Sequence, residues 1–216
     1  MDNLTARRQM VDQQIRTWEV LDPRVLAVLA EVPREAFVPP EYRELAFADT
    51  PIPIGFGQSM LAPKIQGRIL QALGVSATDS VLEVGTGSGY LSACLSLLGA
   101  NTRSIDIHPQ FTAAAASNLR TVEQARVELQ TRDAFSNAPL GEYDAIAVTG
   151  SLPVYDARFE RSLRLGGRLF VVVGEAPVMD AILVRRVDTA EWIRESLFET
   201  VIEPLINATA AQKFVF

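Results

Sequence analysis

The stretch that most constrains this chain is Val81-Leu-Glu-Val-Gly-Thr-Gly-Ser-Gly-Tyr90. A short apolar run read as strand, Ser80-Val84, leads into Gly85, Gly87 and Gly89 at alternate positions, and Tyr90-Leu98 then reads as a helix. Glycine tolerates the positive backbone angles of a tight turn and leaves the main chain bare for a ligand to approach. The dinucleotide pattern G-x-G-x-x-G carries its third glycine one residue later and sets a pyrophosphate on the helix N-terminus. With the early glycine, and with Glu83 ahead of the first, a cationic ligand is the better match. S-adenosylmethionine has a sulfonium, an ammonium, a carboxylate, a ribose and an adenine to satisfy, and no phosphate. Glu83, Gly85, Thr86, Gly87, Ser88 and Gly89 are therefore candidate cofactor contacts. A ligand-free turn and a nicotinamide or flavin site are the alternatives.

The segments downstream alternate. Strands are expected at Thr102-Ile107, Val127-Gln130, Tyr143-Val148 and Arg168-Val173, and helices at Pro109-Leu119 and Val154-Leu163. Apolar strands separated by helices predict a doubly wound, mostly parallel α/β sheet. With the glycine turn read as an S-adenosylmethionine site, the expected fold is that of the S-adenosylmethionine-dependent methyltransferase type, with an N-terminal helical extension. Alternating residues in Ala181-Val187, Trp192-Phe198 and Ala208-Phe216 predict antiparallel strands closing one edge. Asp106 ends the second strand, where a carboxylate accepts hydrogen bonds from ribose hydroxyls, and Asp133 follows the third, where it could take the adenine amino group. With their neighbours Ile107 and Ala134 they complete the candidate cofactor set. A helix N-cap competes for Asp106 and a loop cap for Asp133. Asp144 reads as structural, and His108, the only histidine, reads as a bystander beside the site rather than a base.

Composition closes off other classes. A chain of 216 residues that is 48% hydrophobic and 21% charged buries a core, and one domain is expected over 1-216. Residues 1-63 supply N-terminal helices and a substrate loop, and 64-216 the cofactor-binding core. Cys94 is the single cysteine, so disulfide and Cys/His metal frameworks are excluded. A net charge of -6 disfavours a nucleic-acid partner. No run of about 18 apolar residues or signal-like leader is seen, so no membrane partner and a cytoplasmic location are expected.

Ahead of the turn, Leu4, Val11, Ile15 and Trp18 recur at helical spacing, Asp22-Pro23 starts a second helix, and a third follows Pro63 and stops at Gly74. Three prolines and two glycines in Pro51-Ile-Pro-Ile-Gly-Phe-Gly-Gln-Ser-Met-Leu-Ala-Pro63 predict a loop with fixed turns and little regular structure. With these segments in order, the chain resembles the protein-L-isoaspartate O-methyltransferases. Val32-Pro-Arg-Glu-Ala-Phe-Val-Pro39 looks like that family's N-terminal motif and Pro53-Ile-Gly-Phe-Gly-Gln58 like its substrate loop. Val81 to Tyr90 looks like its cofactor turn, and Leu165-Gly-Gly-Arg-Leu with Val173-Gly174 like its later strand. The resemblance implies S-adenosylmethionine-dependent carboxyl methylation of isoaspartyl residues in damaged proteins or peptides, by a monomer or weak dimer. It also implies that Gln58 and Ser59 position the acceptor.

One departure stands out. Where the family continues Gly-Gln-Thr-Ile-Ser-x-Pro, this chain has Gly57-Gln-Ser-Met-Leu-Ala-Pro63, so Leu61 takes the place of the second hydroxyl. Ser151 is the hydroxyl that could stand in for it. A carboxylate acceptor, with a pKa of about 4, needs neither base nor metal, which suits a chain with one histidine and two lysines. A methyltransferase of the same fold with another acceptor, and a cofactor-binding relative without repair activity, are the alternatives.

Overall fold

A computed structural model describes residues 2–99 and 101–210. The chain opens with α1 (Asn3–Met10), which continues through a π-helical turn, Val11–Ile15, and a 3-10 turn, Arg16–Trp18. Met10, Val11 and Ile15 face the core, but the expected apolar stripe does not run its full length: Leu4 and Trp18 are exposed. Trp18 is instead covered by the Lys64 ammonium, 4.3 Å from its ring centre. Helix α2 (Pro23–Glu31) starts at an Asp22 cap with Pro23 in its first turn. Arg7 donates to the Ala30 and Glu31 carbonyls and pairs with Glu35 at 2.6 Å, tying α1 to the end of α2.

The proline-rich segment is more regular than expected. It forms a hairpin of β1 (Ile52–Gly55) and β2 (Gln58–Met60), turned by three residues at positive φ, Gly55, Phe56 and Gly57. Proline is tolerated because this two-stranded ribbon is all edge. Helix α3 (Pro63–Leu73) ends on Gly74 in the left-handed conformation, as its position suggested.

From there the chain alternates through β3 (Ser80–Val84), α4 (Tyr90–Leu98), β4 (Asn101–Asp106), α5 (Pro109–Leu119), β5 (Val127–Thr131), β6 (Tyr143–Leu152), α6 (Ala157–Arg161), β7 (Leu163–Glu175), β8 (Val178–Asp188) and β9 (Glu191–Glu199). Helix α6 is shorter than the expected Val154-Leu163 because the Asp156 carboxylate accepts from the Arg158 N–H and starts it there. Strand β7 begins five residues before Arg168. Residues 208–210 carry no strand, and the rest of the expected Ala208-Phe216 strand lies outside the described residues.

The sheet order is β5-β4-β3-β6-β7-β8-β9, with β3 to β7 parallel and β8 and β9 antiparallel. Strand alternation sorts the core onto two faces. Val81, Ala145, Ala147, Phe170 and Val172 pack towards the N-terminal helices and α4, while Leu82, Val84, Ile146, Val148, Leu169 and Val171 pack with Phe159 of α6. Successive strands leave β3 in one direction to β5 and the chain then returns to β6 on its other side. That reversal opens a crevice beyond the carboxyl ends of β3 and β6, where open α/β sheets bind ligands.

Candidate active site

The turn after β3 is built for close approach. Gly85, Gly87 and Gly89 have φ of 100°, 50° and 85°. A Cβ on Gly85 would run into the Thr149 hydroxyl, and one on Gly87 would lie 3.1 Å from Ile54 Cδ1. Thr149 itself donates to the Val84 and Gly85 carbonyls at 3.0 and 2.8 Å, fixing β6 against the turn. Gly89 has a different reason: its Cβ would meet Ala115 Cβ at 2.9 Å, so it permits α4 to pack on α5.

Asp106 braces the turn from β4. Its two carboxylate oxygens accept from the Gly87 N–H at 3.0 Å and the His108 N–H at 2.9 Å. Each oxygen keeps a further lone pair for a ligand hydroxyl. The N-cap alternative for this residue is not what forms, since helix α5 has no side-chain cap. Asp133 accepts from the Phe135 N–H at 2.7 Å and from the Asn207 amide at 2.9 Å, so it caps its loop and also holds the C-terminal segment.

These residues border one cleft of about 610 Å³ at the topological switch. Gln58, Ser59, Gly85, Gly87, Asp106, Ile107, Asp133 and Ala134 line it. Glu83, Thr86 and Ser88 line an adjoining recess that shares Ser59, Gly85 and Gly87 with the cleft and is closed on one side by Leu61. Gly89, alone of the expected set, borders neither. Sequence reasoning missed Ile54, Arg132, Phe135, Thr149, Leu205 and Ile206, which also line the cleft.

Glu83 is not aimed at open solvent. Strand alternation turns it onto the α4 face, where it is 1% exposed and accepts from the Ser92 and Ser104 hydroxyls. Thr86 extends the chain by bonding Ser104 at 2.6 Å. Burial pushes the Glu83 carboxyl up to about 7, the two serines acting against it and Asp106 with it. The site therefore contains an acid that gives up its proton near neutrality.

The loop above the cleft is held from below by Arg34, which is fully buried. Its guanidinium donates to Ala46 O at 2.8 Å, Leu61 O at 2.8 Å and the Gln66 side chain, and lies 5.0 Å from the Tyr90 ring centre. The hairpin tip leans the other way, with Phe56 stacked on His108 at 4.6 Å and edge-on to Phe111 at 5.4 Å. His108 is thus a wall of the cleft and a platform for the loop. Ser59 Oγ donates to Glu203 Oε1 at 2.8 Å. Ser151 does not replace the hydroxyl absent at Leu61: it is fully buried and donates to Ile202 O at 3.1 Å, pinning the segment that carries Glu203. Cys94 is buried, and its thiol is pushed up to about 12 by that burial, so it is no nucleophile here. Among the described residues no His/Cys/Asp/Glu cluster could hold a metal, and no helix is long and apolar enough to cross a membrane.

A family model described as protein-L-isoaspartate(D-aspartate) O-methyltransferase (PCMT) matches residues 5–209. The chain is 39% identical over 202 residues to a protein-L-isoaspartate O-methyltransferase of Methanoregula boonei, covering 93% of each. It is 34% identical over 206 residues to one of Rhodopseudomonas palustris, covering 94% of each. In backbone it resembles a protein-L-isoaspartate O-methyltransferase from Plasmodium falciparum solved with S-adenosyl-L-homocysteine. The TM-score is 0.80 at 18% identity, over 95% of this chain and 99% of that one.

Proposed function

The chain belongs to the protein-L-isoaspartate O-methyltransferase family, and from that premise we propose that the cleft over Gly85 and Gly87 is where its chemistry takes place. The protein is an S-adenosylmethionine-dependent methyltransferase acting on isoaspartyl residues of proteins. One observation supports this location. Bare backbone at Gly85 and Gly87, a carboxylate at Asp106 and a hydroxyl at Ser59 line a single cleft at the switch point of the sheet.

The cofactor, when bound, supplies a methyl group made electrophilic by a sulfonium. The lining fits such a molecule: Gly85 and Gly87 offer no side chain to block it, Asp106 retains acceptors for ribose hydroxyls, and Ile107, Ala134 and Phe135 offer apolar surface beside Asp133. Thr86 and Ser88 bound the recess beyond the turn and would face its amino-acid end, with Glu83 behind them, its carboxyl held by the Ser92 and Ser104 hydroxyls. The residues of the chain have a limited task, because the acceptor carboxylate is already ionised at neutral pH and in-line transfer mainly requires alignment and exclusion of water. Gln58 and Ser59 on β2 line the cleft and orient the acceptor, Ser59 with its hydroxyl proton already engaged by Glu203. Ile54, Leu61 and the Phe56–His108 stack exclude water around it. The enzyme works in the cytoplasm as a monomer or weak dimer, without a nucleic-acid partner.

The test is incubation with methyl-labelled S-adenosylmethionine and a peptide carrying either isoaspartate or aspartate at one position. Base-labile label on the isoaspartyl peptide alone is expected. Label on neither peptide, or base-stable label, would overturn the reading.

A further inference from the structure

Beside Ser59, and sharing Leu61 with the recess of the cofactor cleft, lies a groove of about 1100 Å³. Its walls are largely apolar, with Trp18, Leu61, Met179 and Ile202 among them, and Glu203 stands where it meets Ser59. Two other charged side chains line it, Asp49 and Lys64, and they neutralise one another at 2.7 Å. Among the described residues no cation pairs with Glu203, so within them the groove carries one unmatched negative charge. That charge is held in place. Ser151 N–H donates to Glu203 O at 2.9 Å, Leu205 N–H donates to Ser151 O at 2.9 Å, and Ser59 Oγ fixes the carboxylate itself.

An anion at this point is at odds with an acceptor that is also an anion, because like charges at close range oppose binding. The conflict is relieved when the substrate brings its own cation. A long aliphatic stem ending in a positive charge matches an apolar groove with an acid at one end. We infer that Glu203 is a specificity-determining residue that favours isoaspartyl sites with a lysine or arginine as an immediate neighbour. The inference rests on the isoaspartyl reading above and adds which peptides the site prefers.

The experiment uses the full chain and peptides that differ only in carrying Lys, Ala or Glu on either side of one isoaspartate. With the wild type, the best Lys peptide exceeds its Ala counterpart in kcat/KM by about fivefold, the factor carried by one water-screened pair of unit charges at contact. The difference lies mainly in KM and shrinks as salt is raised. Glu203→Gln brings the ratio close to one, and Glu203→Lys inverts it, whereas Glu191→Gln, an equal charge change on exposed β9, leaves it as in the wild type. Methylation of all the peptides at one rate by the wild type, or an undiminished preference in Glu203→Gln, overturns the inference alone. Failure to methylate any isoaspartyl peptide overturns the isoaspartyl reading and the inference together.

Discussion

Replacing Glu83 by glutamine removes the ionisation of the most deeply buried acid in the site while keeping its shape. In the folded protein burial raises this carboxyl from 4.5 to about 7. The sign follows directly. A folded-state pKa above the unfolded one means that the native state binds the extra proton, so stability is fully present below about pH 4.5 and falls as pH rises to about 7. The difference between 4.5 and about 7, at 1.36 kcal/mol per unit, corresponds to a total of about 3 kcal/mol, most of it appearing between about pH 5 and pH 8. The carboxylates held below their ordinary values, Asp2, Asp22, Asp79 and Glu128, titrate beneath that window and are common to both proteins. Urea unfolding across this range should therefore show the advantage of Glu83→Gln over the wild type growing by about 2 kcal/mol with pH. A constant difference between the two proteins, or one that shrinks as pH rises, would refute the account of Glu83.

Three other substitutions probe the site. Gly87→Val puts a branched side chain at a φ of 50°, its Cβ 3.1 Å from Ile54 Cδ1, and calorimetry should find no binding of S-adenosylhomocysteine to a protein that is still folded by circular dichroism. Arg34→Met leaves the Ala46 and Leu61 carbonyls and the Gln66 side chain without their buried donor; a loss of about 3 kcal/mol is expected, with a raised peptide KM from the loosened loop. Leu61→Ser restores a hydroxyl beside the recess and should raise turnover of isoaspartyl peptides, at a stability cost of about 3 kcal/mol for the emptied apolar volume. An unchanged or lower rate would mean that the loop serves its acceptor without that group.

The parts of this molecule governed by short-range rules were legible in advance. A strand, three glycines and a helix place a bare turn at the end of β3, and a two-residue period with aspartates at the strand ends brings Asp106 and Asp133 to the same crevice. The same period shows, on inspection, why Glu83 differs from them: it shares the face of Val81, which α4 covers, so it is buried behind the turn. Gly89 was misleading because close helix packing and close ligand approach demand the same residue, and only the position of Ala115 separates them. The proline-rich loop concealed a hairpin, since a ribbon that is all edge does not need the amide hydrogens that proline lacks. Glu203 and Ser151 could not be placed from local pattern. Glu203 meets Ser59 across 144 positions, and Ser151 is drawn away from the site by the bridge it makes with Pro204.

A crystal structure with S-adenosylhomocysteine and an isoaspartyl peptide bound measures the arrangement directly. The nucleoside should lie against the main chain of Gly85 and Gly87 with its ribose on Asp106, and the peptide carboxylate should reach the same cleft beside Ser59. A nucleoside seated elsewhere, or a carboxylate held away from Ser59, would contradict it.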